Sequence, residues 1–332
     1  MITKVLKIDI NSLQLARNII LSGGAVAIPT ETVYGLGANA YDTGAVENIF
    51  AIKGRPNDNP LIVHVHRGFD ISELVTDIPD YAVKLADAYL PGPLTMVYRS
   101  KGTVSPAVSC GLSTVAIRIP SHEGVQKFLK YVNLPIAAPS ANISKHVSPT
   151  SAGHVYADLN GKIELILDGG VSAGGIESTV LDCTGPEPVI LRTGLITREM
   201  IKKVAGACGV YEYKDGETAR SPGLKYKHYS PDCRTKLFKY EEISDAMEYF
   251  TQRMRNGVKA VILCDDHVAK MVGVNYVLNL GKTPEDMAAN LYARLREGEK
   301  IAQEIIAIEP KNKSGVMAGV LNRLKKACAE VK

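Results

Sequence analysis

The 332-residue chain carries no large charge excess, no paired cysteines and no long apolar run. Its net charge is only +4: residues 1–208 balance 18 Lys+Arg against 18 Asp+Glu, and residues 209–332 hold 21 against 17. A duplex-binding module normally shows a stronger basic excess than either part. The six cysteines (Cys110, Cys183, Cys208, Cys233, Cys264 and Cys328) form no C-x-x-C pair and have no histidine at zinc-ligand spacing. That excludes the common zinc motifs and points to reduced, structural thiols in a reducing compartment. No run approaches the roughly 18 apolar residues of a membrane-spanning helix, and the opening MITKVLKIDI lacks the apolar stretch of a secretory signal. The expectation is a cytoplasmic protein that does not engage a membrane. A Ser-His-Asp order and a Cys-His pairing near a Gly-rich elbow are also missing, so no covalent nucleophile presents itself.

What is present is the composition of an ordinary globular protein, 45% hydrophobic and 22% charged, with length for about two domains at roughly 150 residues each. Short Val- and Ile-rich runs (KVLKIDI, AVAIPT, LIVHVH, TVAIRIP, PIAAPSAN, STVLDC, PVILRTG) alternate with stretches of helical period such as SLQLARNIILSGG and GAVENIFAI. Strands interleaved with helices give an α/β class. In ESTVLDCTGPEPVILRT two strands follow one another with only a Gly-Pro turn between them, which predicts a hairpin and a mixed sheet. The periodicity stops over residues 209–232, a polar, tyrosine-rich stretch long enough to act as a lid as well as a linker. Beyond it a smaller α/β unit with a parallel sheet is expected over 233–332: strand TKLFKY, helix ISDAMEYFTQRMRNG, strands KAVILCDD and YVLNLG, a helix from Pro284 to about Ile308, and a last helix from Ser314.

Two tempting patterns fail. Gly281-Lys282-Thr283 resembles the end of a P-loop, but Tyr276 stands where its first glycine belongs, so a turn into a helix is expected. Gly35-x-Gly37-x-x-Ala40 starts too late after its strand and opens no helix, which leaves a tight backbone path. Lys53-Gly54-Arg55-Pro56-Asn57 is more informative. Pro56 disfavours helix at Arg55, and in extended chain Lys53 and Arg55 would point the same way as exposed cations. Such a pair suits a polyphosphate and equally suits a solvated helix end.

The strand Thr114–Ile119 alternates Val115, Ile117 and Ile119 against Thr114, Ala116 and Arg118, so one face is core and the other offers a hydroxyl and a guanidinium. Ser140 and Asn142 share a side at another strand end, and Ser148 and Thr150 stand where they could cap a helix. Glu177-Ser178-Thr179 and Arg192-Thr193 again put polar groups at strand termini, where α/β sheets commonly bind ligands. His64 and His66 lie two apart on an apolar strand, and one of them is a candidate. Together these describe a polar, cationic face suited to an anionic, phosphorylated small molecule.

PTETVYGLGANA (29–40), KGRPNDNPLIVHV (53–65), TVAIRIP (114–120), PSANIS (139–144) with SPT (148–150), ESTV (177–180) and LRTG (191–194) resemble, in order, the Sua5/YrdC/YwlC family. The linker SPGLKYKHYSP (221–231) and the unit after it resemble the longer Sua5 form. The resemblance implies a YrdC-like mixed twisted sheet with helices over residues 1–208, a linker and active-site lid over 209–232, and a smaller Rossmann-like α/β Sua5 domain over 233–332. It implies threonylcarbamoyl-AMP synthesis, a nucleotidyl transfer from L-threonine, bicarbonate and ATP with release of pyrophosphate, feeding t6A37 modification of tRNA. Mg²⁺ would enter with ATP; the downstream t6A transferase complex would take the product, so tRNA is an indirect partner.

The same resemblance places Lys53, Arg55, Asn57, Ser140, Asn142, Ser148 and Arg192 on ATP, with Lys53 and Arg55 nearest the chemistry. It places Thr30, His64, Arg118 and Ser178 on threonine, and Thr114 between the two ligands. Tyr226, His228 and Tyr229 would close over the nucleotide. LRTG and SPGL stand where the family commonly has LRPG and SPGM, changes that leave Arg192 and the lid in place. An RNA-binding translation factor using the same concave face is the alternative; the neutral charge and few aromatics of residues 1–208 speak against it. A hydrogenase-type carbamoyl-transfer maturation factor would need acylphosphatase and zinc-finger segments that this chain lacks.

Overall fold

The Val- and Ile-rich runs form strands and the stretches of helical period form helices, in a computed structural model that describes residues 1–212, 229–273, 275–328 and 330–331. Two units separate by contacts: one of Met1–Ser144, Pro149–Ala173 and Glu177–Tyr226 (described to Glu212), the other of Lys145–Ser148, Gly174–Ile176 and Lys227–Lys332 (described from Tyr229).

The first unit contributes β1 (Lys4–Lys7), β2 (Val26–Ile28), β3 (Gly35–Asn39), β4 (Ile62–His64), β5 (Val75–Thr76), β6 (Leu94–Ser100), β7 (Thr114–Arg118), β8 (Ile136–Ala137), β9 (Leu165–Asp168), β10 (Thr179–Asp182), β11 (Val189–Arg192) and β12 (Gly209–Val210). These described strands form one sheet in the order β1-β9-β2-β3-β8-β4-β7-β6-β10-β11-β12, with β5 paired to β6. Parallel pairs (β1–β9, β4–β7, β6–β10) mix with antiparallel ones (β2–β3, β6–β7, β10–β11). The sheet is mixed, and β10–β11 is the expected hairpin.

Among the described residues seven α-helices accompany it: α1 (Ile10–Leu21), α2 (Thr43–Lys53), α3 (Asp80–Tyr89), α4 (Pro106–Ser109), α5 (Glu123–Val132), α6 (Ala152–Leu159) and α7 (Arg198–Ala205). Short polar residues start them where the backbone N–H groups need acceptors, Asp9 for α1 and Asp42 for α2. The helix α6 is capped by Ser151, whose side chain accepts from the His154 N–H, so the caps expected at Ser148 and Thr150 are displaced by one residue or more. One sheet face packs Val46, Ile49 and Phe50 of α2, Leu85 of α3, Val155 and Leu159 of α6 and Ile201 of α7 into the main core. On the opposite face α1 and α5 cover the β2, β8 and β9 portion through Leu13, Ile20, Phe128 and Leu129. Further along that same face Ile62, Val97, Ala116, Val180 and Leu191 form a small cluster with Tyr211 packed on it, and it includes no helix residue. The polar residues His64, Arg118 and Thr95 lie on this part of the face.

The second unit has β13 (Arg234–Phe238), β14 (Ala260–Cys264), β15 (Val277–Asn279), β16 (Glu304–Ile308) and β17 (Glu330–Val331), all parallel, in the order β15-β14-β16-β13-β17. Its helices are α8 (Ile243–Arg255), α9 (Asp266–Val272), α10 (Pro284–Ile301) and α11 (Val316–Ala327). This is the expected parallel α/β unit, with one correction. The helix begun at Pro284 ends at Ile301 instead of about Ile308, and Glu304–Ile308 is a fully buried strand at the sheet centre. Its β-branched run Ile305-Ile306 and Ile308 suits a central strand, and tertiary burial overrides the helical period that precedes it. Gly281-Lys282-Thr283 is the expected turn, with Thr283 capping α10. Two short segments belong to this unit although they fall inside the first unit's sequence. Lys145 accepts from the Ser230 N–H (3.0 Å), Val147 accepts from Arg296, and a Cβ on Gly175 would lie 2.2 Å from the Ala288 carbonyl oxygen, so only glycine fits there.

Candidate active site

Alternation on β7 buries Val115 and Ile117 in the main core and turns Ala116 and Arg118 to the opposite face, as the sequence pattern requires. Register then builds a row across four neighbouring strands and a fifth. His64 of β4 pairs with Arg118 of β7, Arg118 with Thr95 of β6, Thr95 with Val180 of β10, and Val180 with Arg192 of β11. Directly paired residues share a face, so two guanidinium groups, an imidazole and a hydroxyl stand side by side.

The row is tied together by hydrogen bonds. Arg192 donates from Nε to the Ser178 carbonyl oxygen (3.1 Å) and from Nη2 to Ser178 Oγ (3.1 Å), and Ser178 Oγ lies 2.8 Å from Thr95 Oγ1. His64 is 4% exposed and its Nδ1 lies 3.1 Å from the Ile62 carbonyl oxygen. Burial and the Arg118 cation push its pKa down to about 3, so the ring is neutral. Thr30 follows β2 directly; its hydroxyl donates to the Val33 carbonyl oxygen (2.6 Å) and lies 2.9 Å from Thr32 Oγ1.

Glu31, which sequence reasoning missed, reaches the centre of this row. Its Oε1 accepts from Arg118 Nη2 at 2.8 Å. Burial alone would raise the Glu31 carboxyl, but the Arg118 charge and hydrogen bond outweigh it and hold the group below its ordinary value. The available signal was a carboxylate inside Pro29-Thr30-Glu31-Thr32, at the end of a buried strand, in a protein with a buried cation to neutralise.

A second group forms at the end of α2. Lys53 is its last residue, and Gly54 ends the helix in the left-handed conformation (φ 60°). Lys53 was expected to be an exposed cation in extended chain beside Arg55. Instead it is helical and 2% exposed, and its Nζ donates to the Ser140 carbonyl oxygen (2.6 Å), the Asn142 carbonyl oxygen and Asn142 Oδ1 (3.3 Å). The physical reason is that three acceptors on the 140–142 turn satisfy an ammonium better than water shared with a neighbouring cation. Burial and then Arg55 hold its pKa well below that of an ordinary lysine. Ser140 Oγ donates to Asn142 Oδ1 (2.5 Å), and Arg55 donates to the Asn59 carbonyl oxygen (3.1 Å). The 139–142 segment continues from β8, whose Ile136 pairs with His64, so this group adjoins the row.

The remaining candidates are more scattered. Thr114 is half-buried at the start of β7. Asn57 is exposed and lines a hollow with Thr43, Glu47, Phe50, Pro106 and Ala107, apart from the other candidates. Ser148 is buried and belongs to the second unit, as does Tyr229, which is buried with φ 67° and has its ring 5.3 Å from that of Tyr292. Tyr226 and His228 lie outside the described residues. Among the described residues no group of three His, Cys, Asp or Glu side chains could hold a metal ion. The polar groups gathered here are cations, hydroxyls and amides with Glu31 as the acid, so these residues do not form a magnesium cage.

The sequence matches a family model described as Sua5_yciO_yrdC, telomere recombination, over residues 18–194, and a threonylcarbamoyl-AMP synthase C-terminal domain over residues 196–329. It is 41% identical over 326 residues to the threonylcarbamoyl-AMP synthase of Pyrococcus abyssi, covering 95% of this chain and 93% of that one. The Bacillus subtilis threonylcarbamoyl-AMP synthase is 41% identical over 308 residues, covering 91% and 88%. The crystal structure of P. abyssi Sua5 complexed with L-threonine is similar with a TM-score of 0.90 at 39% identity, over 100% of this chain and 98% of that one. Escherichia coli YciO, at 22% identity and a TM-score of 0.51, shares the fold over 57% of this chain. No helix among the described residues is long and apolar enough to cross a membrane. The ordered motifs, the mixed sheet with its cross-strand row and the two matched models together make this chain a member of the Sua5/YciO/YrdC family, in the form that carries the threonylcarbamoyl-AMP synthase C-terminal domain.

Proposed function

We propose that the chain is an L-threonylcarbamoyladenylate synthase, an ATP-dependent nucleotidyltransferase that condenses L-threonine, bicarbonate and ATP and releases pyrophosphate. The observation that carries this reading is the row of His64, Arg118, Thr95 and Arg192 on an otherwise neutral sheet face, in a chain 41% identical to proteins named for that product. Arg118 would hold the threonine carboxylate with the geometry that a guanidinium fork favours. Thr30, neutral His64 and Ser178 would surround the rest of the amino acid, and Thr114 would stand between the ligands. Arg55, Asn57, Ser140, Asn142, Ser148, Arg192 and Tyr229 would contact ATP. Lys53 would act there by fixing the 140–142 turn as well as by its charge.

No protein nucleophile is needed. The free amine of threonine attacks the bicarbonate carbon and water leaves, giving a carbamate. A carbamate oxygen then attacks the α-phosphorus of ATP and pyrophosphate leaves. The protein's share is alignment of three substrates and neutralisation of developing charge. Magnesium would arrive on the triphosphate, coordinated by phosphate and water. The product, a mixed anhydride, suits transfer to tRNA by a downstream t6A transferase complex. The test is pyrophosphate release by the full chain with ATP, L-threonine, bicarbonate and Mg²⁺. Release dependent on threonine is expected; release no greater than in its absence removes the reading.

A further inference from the structure

Glu31 has no task in the reaction as set out, yet its chemistry is incomplete. It meets Arg118 through one contact, Oε1 to Nη2, with the two side chains 14% and 5% exposed. The second carboxylate oxygen, Oε2, and the guanidinium Nε are both buried without a hydrogen bond of normal geometry, although the Glu31 and Ser121 backbone N–H groups also favour the charged carboxylate. Arg–carboxylate pairs are frequently bidentate, because the fork matches the carboxylate. Here one acceptor and one donor remain unmet, and buried polar groups in folded proteins are otherwise paired.

The two unmet atoms belong to opposite charges, and His64 beside them is neutral. A ligand complementary to this arrangement carries a cationic donor and an anionic acceptor on adjacent atoms, as the ammonium and carboxylate of an α-amino acid do. We propose that Glu31 recognises the α-ammonium of the amino-acid substrate as it binds, before that group loses a proton and attacks as the free amine, its Oε2 accepting a hydrogen bond from it while Arg118 donates to the α-carboxylate. The inference rests on the threonine reading above and adds a specificity-determining residue to it. Glu31 and Arg118 cancel each other's charge, so a ligand with only one of the two charges leaves the other residue unanswered. The subsite thereby selects zwitterions over simple carboxylic acids.

The test is calorimetric binding of L-threonine and of 3-hydroxybutanoate, which lacks the amine, to the full chain and to Glu31→Gln. The wild-type protein is expected to prefer threonine by roughly 10- to 100-fold, the equivalent of a charged hydrogen bond. Glu31→Gln is expected to lose most of that preference while ATP affinity stays unchanged, and Glu31→Asp, which keeps the charge, to recover part of it. Equal binding of the two ligands by the wild-type protein overturns the proposal whether or not the variant folds. So does a Glu31→Gln protein of unchanged melting temperature that retains full preference. Failure of the wild-type protein to bind threonine removes the substrate reading itself, an outcome distinct from either.

Discussion

Two carboxylates, one in each unit, are treated in opposite ways. In the second unit Glu304 is fully buried at the start of the central strand, and both of its oxygens are taken: Oε1 by the Tyr249 hydroxyl (2.8 Å) and Oε2 by Arg253 Nε (2.5 Å), with Arg234 Nε 3.5 Å from Oε1. Glu309 at the other end of the same strand is 3% exposed and meets Lys313 (2.8 Å) and Lys325 (3.6 Å). In the first unit Arg118 is buried and Glu31 half-buried, and the pair still leaves a donor and an acceptor unmet. A fully satisfied network rigidifies the fold, whereas the partly satisfied one is where the proposed amino-acid ligand would complete the hydrogen bonds.

The comparison predicts a ranking of substitutions. Arg118→Ala should lower threonine-dependent kcat/KM at least about 100-fold, as expected for truncating one partner of a buried charge pair, and Arg118→Lys should not restore it because a point charge cannot make the fork. Steady-state pyrophosphate assays check this. Glu304→Ala should destabilise the protein by about 1.5–3 kcal/mol, the loss of hydrogen bonds to a charged group, with threonine affinity unmoved. Denaturant titration beside calorimetry reads both, and an equal loss of affinity would break the distinction between closed and open networks.

Lys53→Ala should cost about 1–3 kcal/mol by leaving the 140–142 acceptors without their buried donor, in addition to any effect on turnover. Thermal unfolding checks it, and an unchanged melting temperature would return Lys53 to the status of a surface cation. The smallest effect concerns pH. His64 stays neutral in the folded protein down to about 3, while in the unfolded chain it protonates below roughly 6.5. Its contribution to stability is therefore present above that value and is lost as pH falls, by about 1 kcal/mol between pH 6.5 and 5.5. Comparing His64→Gln with wild type across that window should show the flatter curve for the variant.

Sequence pattern carried the architecture far, because alternation on β7 and the hairpin turn at Gly185-Pro186 are local signals. It failed where the decision was made at a distance. Glu304–Ile308 read as helix because nothing in Lys300–Gln303 interrupts the pattern: α10 ends without a Gly or Pro, and only two residues separate it from β16. Lys53 looked exposed because its acceptors lie about ninety residues away on the 140–142 turn. Arg118, His64 and Ser178 were legible as polar groups at strand positions, and the cross-strand register brings them together. Glu31 was not legible by periodicity, since it sits in a short irregular stretch after β2 and acquires meaning only through Arg118.

The row formed by His64, Arg118, Thr95 and Arg192 depends on four successive strand pairings, the last of them carrying a bulge between Val180 and Leu181. A slip of one residue in any pairing would swing its side chain to the helix-covered side. Amino-acid binding is thus a readout of strand registry. After refolding, titration with threonine would count the molecules whose strands are correctly aligned, a population that circular dichroism reports only as sheet.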